Sequence, residues 1–572
     1  MNKGFCKYEI EQDVLSVKTA EAFWQFGGIV AASGEMVVPN SRSLPYFEIT
    51  AQRRGGECVR YGLWEGLSVI RISDDSEATV LTLDGEHWTI RAVRLNAFTD
   101  DFDTLTEEIE FNLFFKGITK PVKGDIFFFE PTLSDEAFVL ISETPDHVRG
   151  EISAVRDAER TKHFVSLKNG GYPVVVGKCK KGECEALCRS YMRHANNCPE
   201  LIAMSNTWGD CNGSKRICDR FVRDEIEAAK EIGIDIVQID DGWQAGNTIY
   251  EKQKDERGNQ IFYDKYWDLN EIRFPEGIKP LAELAASYGI RLGLWFAPSS
   301  HDCFAKIERD KTELRRMYED YGARFFKLDM YQAKDIDHSR KMTELLSYIY
   351  SLGNDVSVQM DVTRYERFNY LCGREYGTIF VENRYTYSGN YFPHRVLRNL
   401  WDISKYLPTN RFQFEVINPK LNADRNYHAG DPLAPSYYDI DYLFACVMLS
   451  NPLFWMELQF LDGECRESLA PLLSVWKAHR DALSRADVAP VGEKPCGTAH
   501  TGFYVSLDGE PRYLLLFREF TDREEFSLKL PENIRSCKLL ASNTHAEIAC
   551  SGNEVSVRYS KPRAYAFIEL NK

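Results

Sequence analysis

The sequence lacks the marks of several large protein classes. No stretch of its 572 residues is long and apolar enough to span a membrane. The opening residues, Met1-Asn-Lys-Gly-Phe-Cys-Lys-Tyr8, carry charge with no apolar run behind it, so no signal peptide is read and a cytoplasmic protein is expected. Positive charge is in deficit, with 70 Lys and Arg against 86 Asp and Glu and a formal net charge of −16. That balance argues against nucleic acid and against an anionic membrane as partner. No strand-like run is followed by G-x-G-x-x-G, so the dinucleotide-binding fingerprint is missing. Cysteine is present, 15 in all, but the number is odd and the positions are scattered. Cys179, Cys184 and Cys188 cluster without a zinc-knuckle spacing or a paired His after them. They are read as reduced thiols, and no metal or other cofactor is expected. There is no low-complexity tract and no disordered tail.

What remains is an ordinary globular composition, 44% hydrophobic and 27% charged, on a chain whose length suggests roughly three or four domains. Up to about residue 170 the pattern is short alternating runs separated by turn residues: Val14–Lys18, Thr79–Leu83 before an Asp84-Gly85 turn, His87–Val93, Glu108–Phe115, Gly124–Phe129 and Ala137–Ile141. This is the pattern of an all-β sandwich, read as structural, with allowance for loops that reach toward a neighbour's active site.

The period then changes. Cys184–His194 has a helical pattern, and after Asn197 a strand–helix unit repeats. The expected strands are Leu201–Trp208, Asp235–Asp240, Arg291–Phe296, Ala323–Asp329, Asp355–Asp361, Thr378–Glu382, Arg411–Ile417 and Pro452–Met456. The expected helices between them are Asp219–Ile232, Pro275–Tyr288, Ala305–Tyr321, Ser339–Leu352, Tyr365–Leu371, Pro393–Lys405 and Ser436–Leu449, with Arg466–Ser484 after the last strand. Asp219 is a candidate N-cap, and Gly233, Gly289, Gly322 and Gly353 sit where C-caps belong. Eight strands each followed by a helix make a (β/α)8 TIM barrel, and an open doubly wound sheet is the alternative. From about 486 alternation returns in six short runs, from Thr501–Leu507 to Ala564–Leu570. The expected fold is therefore an α/β chain with an N-terminal β-sandwich at 1–172, a (β/α)8 barrel at 173–484 and a C-terminal antiparallel β-domain at 485–572.

In such a barrel the C-terminal strand ends converge on one mouth. The strand Ala323–Asp329 ends Lys327-Leu-Asp329, and alternation puts its cation and anion on one face, away from Phe326 and Leu328. A structural ion pair is the plain alternative there. The other strands end in Asn206-Thr-Trp208, Asp240-Asp241-Gly-Trp243-Gln, Trp295-Phe-Ala-Pro298, Gln359-Met-Asp361, Glu382-Asn-Arg384, Glu415-Val-Ile-Asn418 and Trp455-Met-Glu457. Carboxylates at such a mouth suit glycoside hydrolysis, oxygen-ligated divalent metals or sugar binding without catalysis. Trp beside Asp-Asp favours a sugar, and a lysine among the acids counts against a metal.

Asn206-Thr-Trp208, Ile239-Asp-Asp-Gly-Trp-Gln244 and Phe326-Lys-Leu-Asp-Met330 resemble the strand-end motifs of glycoside hydrolase family 36, the melibiase-type α-galactosidases and raffinose synthases. More broadly they resemble the clan that also holds families 27 and 31. The resemblance covers roughly residues 200 to 480. It implies a retaining mechanism with Asp329 as nucleophile, Lys327 on a hydroxyl of the innermost sugar, and Asp240 and Asp241 gripping hydroxyls on its far side. The family's acid/base lies after strand six in a W-x-S-D-(D/N)-T-D context. Here the segment is Ile379-Phe-Val-Glu-Asn-Arg-Tyr385, whose carboxyl, Glu382, is assigned the role.

The chain departs from the family further on. W-F-E-P-E-M is replaced by Trp295-Phe-Ala-Pro-Ser-Ser300, and the C-S-G-G-G segment by Met360-Asp-Val-Thr-Arg-Tyr365. Asp361 is thus a new carboxyl, read as a hydroxyl ligand and as the rival of Glu382. A buried pair with Arg384 is the plain alternative for Glu382. Trp208, Trp243, Trp295 and Arg384 complete the expected sugar contacts, with packing of the barrel top as the alternative for the tryptophans. The resemblance implies an exo-acting retaining α-glycosidase, α-galactosidase-like, acting on an oligosaccharide or glycoside. A raffinose-synthase-type transglycosylase and a non-catalytic carbohydrate-binding protein are the alternatives. A homo-oligomer is compatible with the sequence.

Overall fold

The structure, a computed structural model, describes residues 7–11, 14–18, 22–27, 29–32, 51–53, 56–64, 67–73, 78–84, 87–97, 104–113, 118–156, 162–195, 200–211, 213–246, 265–364 and 366–572. The expectations that involve Gly85, Phe114, Phe115, Asn197 and Tyr365 fall outside these residues.

Eight parallel strands close a barrel: β1 (Met204–Asn206), β2 (Ile236–Ile239), β3 (Arg291–Phe296), β4 (Phe325–Leu328), β5 (Ser357–Asp361), β6 (Thr378–Phe380), β7 (Phe412–Val416) and β8 (Asn451–Phe454). Each pairs with its sequence neighbour, and β1 closes on β8. These short runs are almost wholly buried, as parallel strands covered on both faces must be. The barrel interior is not purely apolar. Asn206 donates to Gln238 at 2.9 Å, and Gln359 to Gln413 at 2.5 Å. Each of these pairs joins side chains from two different strands, so a buried amide meets another amide rather than an apolar wall.

Around the barrel run helices Asp219–Ile232, Lys279–Ser287, Ile307–Glu319, Ile336–Ser351, Pro393–Ile403, Ile440–Val447 and Gly463–Arg485. Gly233 ends the first of them at φ 95°, a left-handed turn that costs glycine little. Gly289 and Gly322 also take positive φ, whereas Gly353 does not. A Cβ at Gly353 would lie 2.5 Å from the Tyr318 hydroxyl, so close approach rather than capping accounts for that glycine. Asp219 is not the N-cap of its helix. Cys218 holds that position, and the Asp219 carboxylate instead accepts from Arg223 one turn along, at 2.7 Å.

Among the described residues 366–371 no helix forms, where one was expected at 365–371. That segment spends its polar groups on the neighbouring domain: Asn369 donates to the Thr144 carbonyl at 2.6 Å and Tyr370 to the Asn96 carbonyl at 2.8 Å. Arg374 beyond it pairs with the buried Glu143, which also accepts from Tyr191 at 2.7 Å. The β5–β6 connection is therefore a strap tied down on the N-terminal domain, and its residues point where those ties put them.

The N-terminal region holds a seven-stranded and a nine-stranded sheet. Strand Val174–Lys180 belongs to the larger one. After helix Gly463–Arg485, a five-stranded and a three-stranded sheet form the C-terminal domain, including strands Asp487–Gly492 and Ala546–Ser551 that the alternation did not reveal. Among the described residues no helix is long and apolar enough to cross a membrane.

Candidate functional site

The C-terminal ends of β2, β4 and β5 bring together one charged cluster. Lys327, the third residue of β4, points into the barrel with a side chain only 3% exposed. Its ammonium lies 2.9 Å from Asp240 Oδ2 and 3.7 Å from Asp361 Oδ2, below the Trp455 ring at 5.0 Å. Asp240 is held in turn: its Oδ2 accepts from Asn206 at 2.7 Å, and its N–H donates to the Thr207 hydroxyl at 2.9 Å. A buried lysine with this many carboxylates is stable only as a cation, and its pKa is raised. Burial alone would lower it, but Asp240, Asp361 and Asp329 outweigh that.

Asp329 follows directly after β4. The chain turns sharply there, with Met330 at φ 55°. The Met330 N–H donates to Asp329 Oδ1 at 2.6 Å, and the Trp295 indole N–H donates to Oδ2 at 3.1 Å. Oδ1 also meets the Arg367 guanidinium at 2.8 Å. The other guanidinium nitrogen of Arg367 lies 2.7 Å from Asp361 Oδ1 and donates to the Asp361 carbonyl at 3.1 Å. One arginine thus bridges two carboxylates, with Thr363 also donating to Asp361 at 2.7 Å. The Asp329 side chain keeps about a fifth of its surface in solvent, against 5% for Asp361 and 7% for Arg367.

The two bridged carboxylates are driven apart electrostatically. Burial pushes Asp329 up, but Arg367, Lys327 and the Trp295 and Met330 donors overcome it and hold the group below the ordinary carboxylate range. Asp361 goes the other way. Burial and the Asp329 charge raise it, and Arg367 and Lys327 only partly compensate. The site offers an ionised, oriented and partly open carboxylate, a second carboxyl that holds its proton more readily, and an ammonium donor beside them. Three carboxyl groups face two fixed cations, a balance that suits a transition state developing positive charge.

The other expected residues lie elsewhere or act differently. Asp241 is buried and its carboxylate accepts from Gln244 at 2.5 Å, within the turn after β2. Trp243 is wholly buried, donates to the Trp295 carbonyl at 2.9 Å and stacks on Trp267, so it packs the barrel flank. Trp295 is 1% exposed and meets the site through its N–H rather than its face. Trp208 is half-buried, and its backbone N–H donates to Asn206 Oδ1 at 2.8 Å.

Glu382 and Arg384 form a second buried cluster behind β6. Arg384 Nε lies 3.2 Å from Glu382 Oε1, the Asn399 amide of helix Pro393–Ile403 donates to the same oxygen, and the Arg384 N–H donates to Glu415 at 2.8 Å. Asn383 between them faces the mouth and donates to Thr363 at 2.8 Å. Alternation along the chain explains the split, since neighbours point to opposite sides. Arg367 and Asn383 were not singled out from the sequence. Arg367 sits in an irregular strap, where neither period nor spacing signals which way a side chain points.

No family model matches the chain. Among curated proteins, α-galactosidase 2 of Pediococcus pentosaceus is 27% identical over 107 residues, a stretch that covers 19% of this chain and 13% of that protein. Solved structures extend the likeness across the fold. The family 36 α-galactosidase AgaA of Geobacillus stearothermophilus superposes over 99% of this chain and 89% of its own, with a TM-score of 0.59 at 13% identity. A variant of that enzyme holding 1-deoxygalactonojirimycin gives a TM-score of 0.63 at 14% identity over the same shares. The α-galactosidase of Lactobacillus brevis gives 0.62 at 10% identity, over 99% of this chain and 86% of its own. The chain therefore shares the overall fold of these α-galactosidases.

Proposed function

We propose that the protein is a retaining, exo-acting glycoside hydrolase of α-galactosidase type. The observation that carries this is the Arg367-bridged pair of Asp329 and Asp361, with the Lys327–Asp240 pair beside it, at the C-terminal mouth of a barrel like those of the family 36 enzymes. Asp329 attacks the anomeric carbon and forms a glycosyl-enzyme. Lys327 and Asp240 grip hydroxyls of the sugar, as donor and acceptor. A carboxyl group then protonates the departing oxygen and later takes a proton from the incoming water. Retention asks for two carboxyl groups about 5–5.5 Å apart, and one guanidinium spanning both is a fitting spacer. The described cysteines are free thiols, which suits a reducing, cytoplasmic setting.

Two carboxyls compete for the acid's place. Glu382 occupies the family's position after strand six. Asp361 has the better support from geometry: it shares a cluster with the nucleophile, and the two pKa values move in opposite directions, the arrangement that separates an acid from a nucleophile. Asp361→Asn and Glu382→Gln are expected to behave differently. The variant that loses the acid drops turnover of a disaccharide by about a hundredfold or more, yet keeps much of its rate on a glycosyl fluoride, whose leaving group needs little protonation. Equal losses on both substrates for Asp361→Asn, with the selective loss in Glu382→Gln, would return the role to Glu382.

The reading as a whole is tested with aryl α-galactoside, α-N-acetylgalactosaminide, α-glucoside and β-L-arabinopyranoside, following the product anomer by proton NMR. Turnover of the α-galactoside with the α-anomer released first is the expected result. Release of the β-anomer would overturn retention, and sugar binding without turnover of any member would make the chain a binding protein.

A further inference from the structure

We propose that the turn Thr386–Ser388 builds a subsite for the leaving-group sugar, in which the ring of Tyr387 stacks on the pyranose next to the one held at Asp329. This rests on the hydrolase reading above and adds one residue to it, Tyr387, as the platform that favours a leaving group with a ring face. The observation is a line of aromatic rings that climbs from the charged cluster to the rim. Lys327 lies 5.0 Å from the Trp455 ring, Trp455 is 6.0 Å from Tyr385, and Tyr385 is 5.2 Å from Tyr387. The first tryptophan is 1% exposed, Tyr385 is half-buried, and Tyr387 is 43% exposed, so the line ends in solvent at the mouth. Asp361 and Asp240 both act on the Tyr385 hydroxyl, whose pKa is raised chiefly by burial, which places this ring beside the cluster.

The rim position is fixed rather than incidental. The turn packs against Gly209–Cys211 after β1 and against Ala423–Asn426 after β7. Gly389 closes it at φ 66°, and a Cβ there would fall 2.2 Å from the Asn426 carbonyl oxygen. An exposed tyrosine on a turn anchored at both ends loses little freedom when a ligand covers it, and its amphipathic ring matches the C–H face and hydroxyl edge of a sugar. Elsewhere on the rim Phe460, 50% exposed, is already stacked under Arg216 at 5.0 Å.

The test compares melibiose, whose leaving group is a sugar, with α-galactosyl fluoride, whose leaving group has no ring. Tyr387→Ala is expected to lower kcat/KM for melibiose about tenfold relative to the fluoride, chiefly through KM, and Tyr387→Phe is expected to restore the ratio. Fluoride turnover by the wild-type protein with an unchanged ratio in Tyr387→Ala overturns the subsite and leaves the hydrolase reading standing. A fall in both substrates together that Tyr387→Phe also shows overturns it as well, because the loss then belongs to the fold. No turnover of the fluoride by the wild-type protein overturns both readings.

Discussion

Replacing Asp329 with glycine is expected to remove glycoside turnover, by about a thousandfold or more, and added azide is expected to restore part of it while yielding the glycosyl azide of inverted configuration. The expectation follows from what the side chain does. Its carboxylate is the accessible member of the cluster, it is aimed by the Trp295 and Met330 donors, and Arg367 and Lys327 keep it ionised. A small anion can occupy the space the carboxylate leaves and attack the same face of the sugar. A structural ion pair makes a different prediction. Losing it strands the Trp295 N–H and half of Arg367, costing about 1–3 kcal/mol of stability for an unsatisfied buried donor. Azide would then rescue nothing, and the loss of rate would track a loss of fold measured by Tm. The isosteric Asp329→Asn keeps the volume and separates the two outcomes further: full inactivity with an unchanged Tm assigns the charge itself to the reaction. With Asp329 neutral, the charge that pushes Asp361 up is gone, so the Asp361 pKa is expected to fall in that variant, readable by carboxyl NMR.

The part of the candidate cluster that is legible in the sequence has a common physical origin. β4 was readable because a short apolar run can carry Lys327 and Asp329 on one face only if that face meets polar partners, and a parallel barrel supplies them at strand ends. The apolar residues of helix Asp219–Ile232 recur with helical spacing, and its observed bounds match the expectation. Three things were hidden. The tryptophans of the motifs were expected against a sugar, yet Trp243 packs on Trp267 and Trp295 works through its N–H, because composition does not tell a stacking face from a packed one. Glu382 and Asn383 are adjacent and face opposite ways, which depends on where β6 stops, and strand ends are poorly determined by pattern. The strap after β5 was expected to be helical because local pattern cannot see Asn369 and Tyr370 bonding to the sandwich more than two hundred residues earlier. Arg367 rides on that strap, so it was invisible for the same reason.

Arg367→Met is expected to lower kcat/KM by about a hundredfold, through misplacement of the nucleophile, and to move the acid limb of the pH profile upward. Arg367 is the leading charge that holds Asp329 down and also opposes the rise of Asp361. Without it, burial and mutual repulsion raise both carboxyls, and the pair titrates as a unit that shares a proton. Since Asp329 must be ionised to attack, activity in the variant should fail at a higher pH on the acid side than in the wild-type protein. Stability follows the same sign. A carboxyl with a depressed folded pKa stabilises above its unfolded pKa, and that contribution is lost as pH falls through the folded value. Removing Arg367 is therefore expected to destabilise the protein at neutral pH, by about 3–5 kcal/mol for a buried pair left without its partner. The gap in Tm between variant and wild type should narrow as both carboxyls become protonated. Arg367→Lys separates bridge from charge, because an ammonium supplies the cation but cannot donate from two ends of a planar fork to Asp329 and Asp361 together. Lysine should hold part of the Tm and less of the rate. An unchanged acid limb in Arg367→Met, with Tm lowered at every pH alike, would show that the strap merely packs there and that Lys327 with Trp295 and Met330 suffices to set the nucleophile.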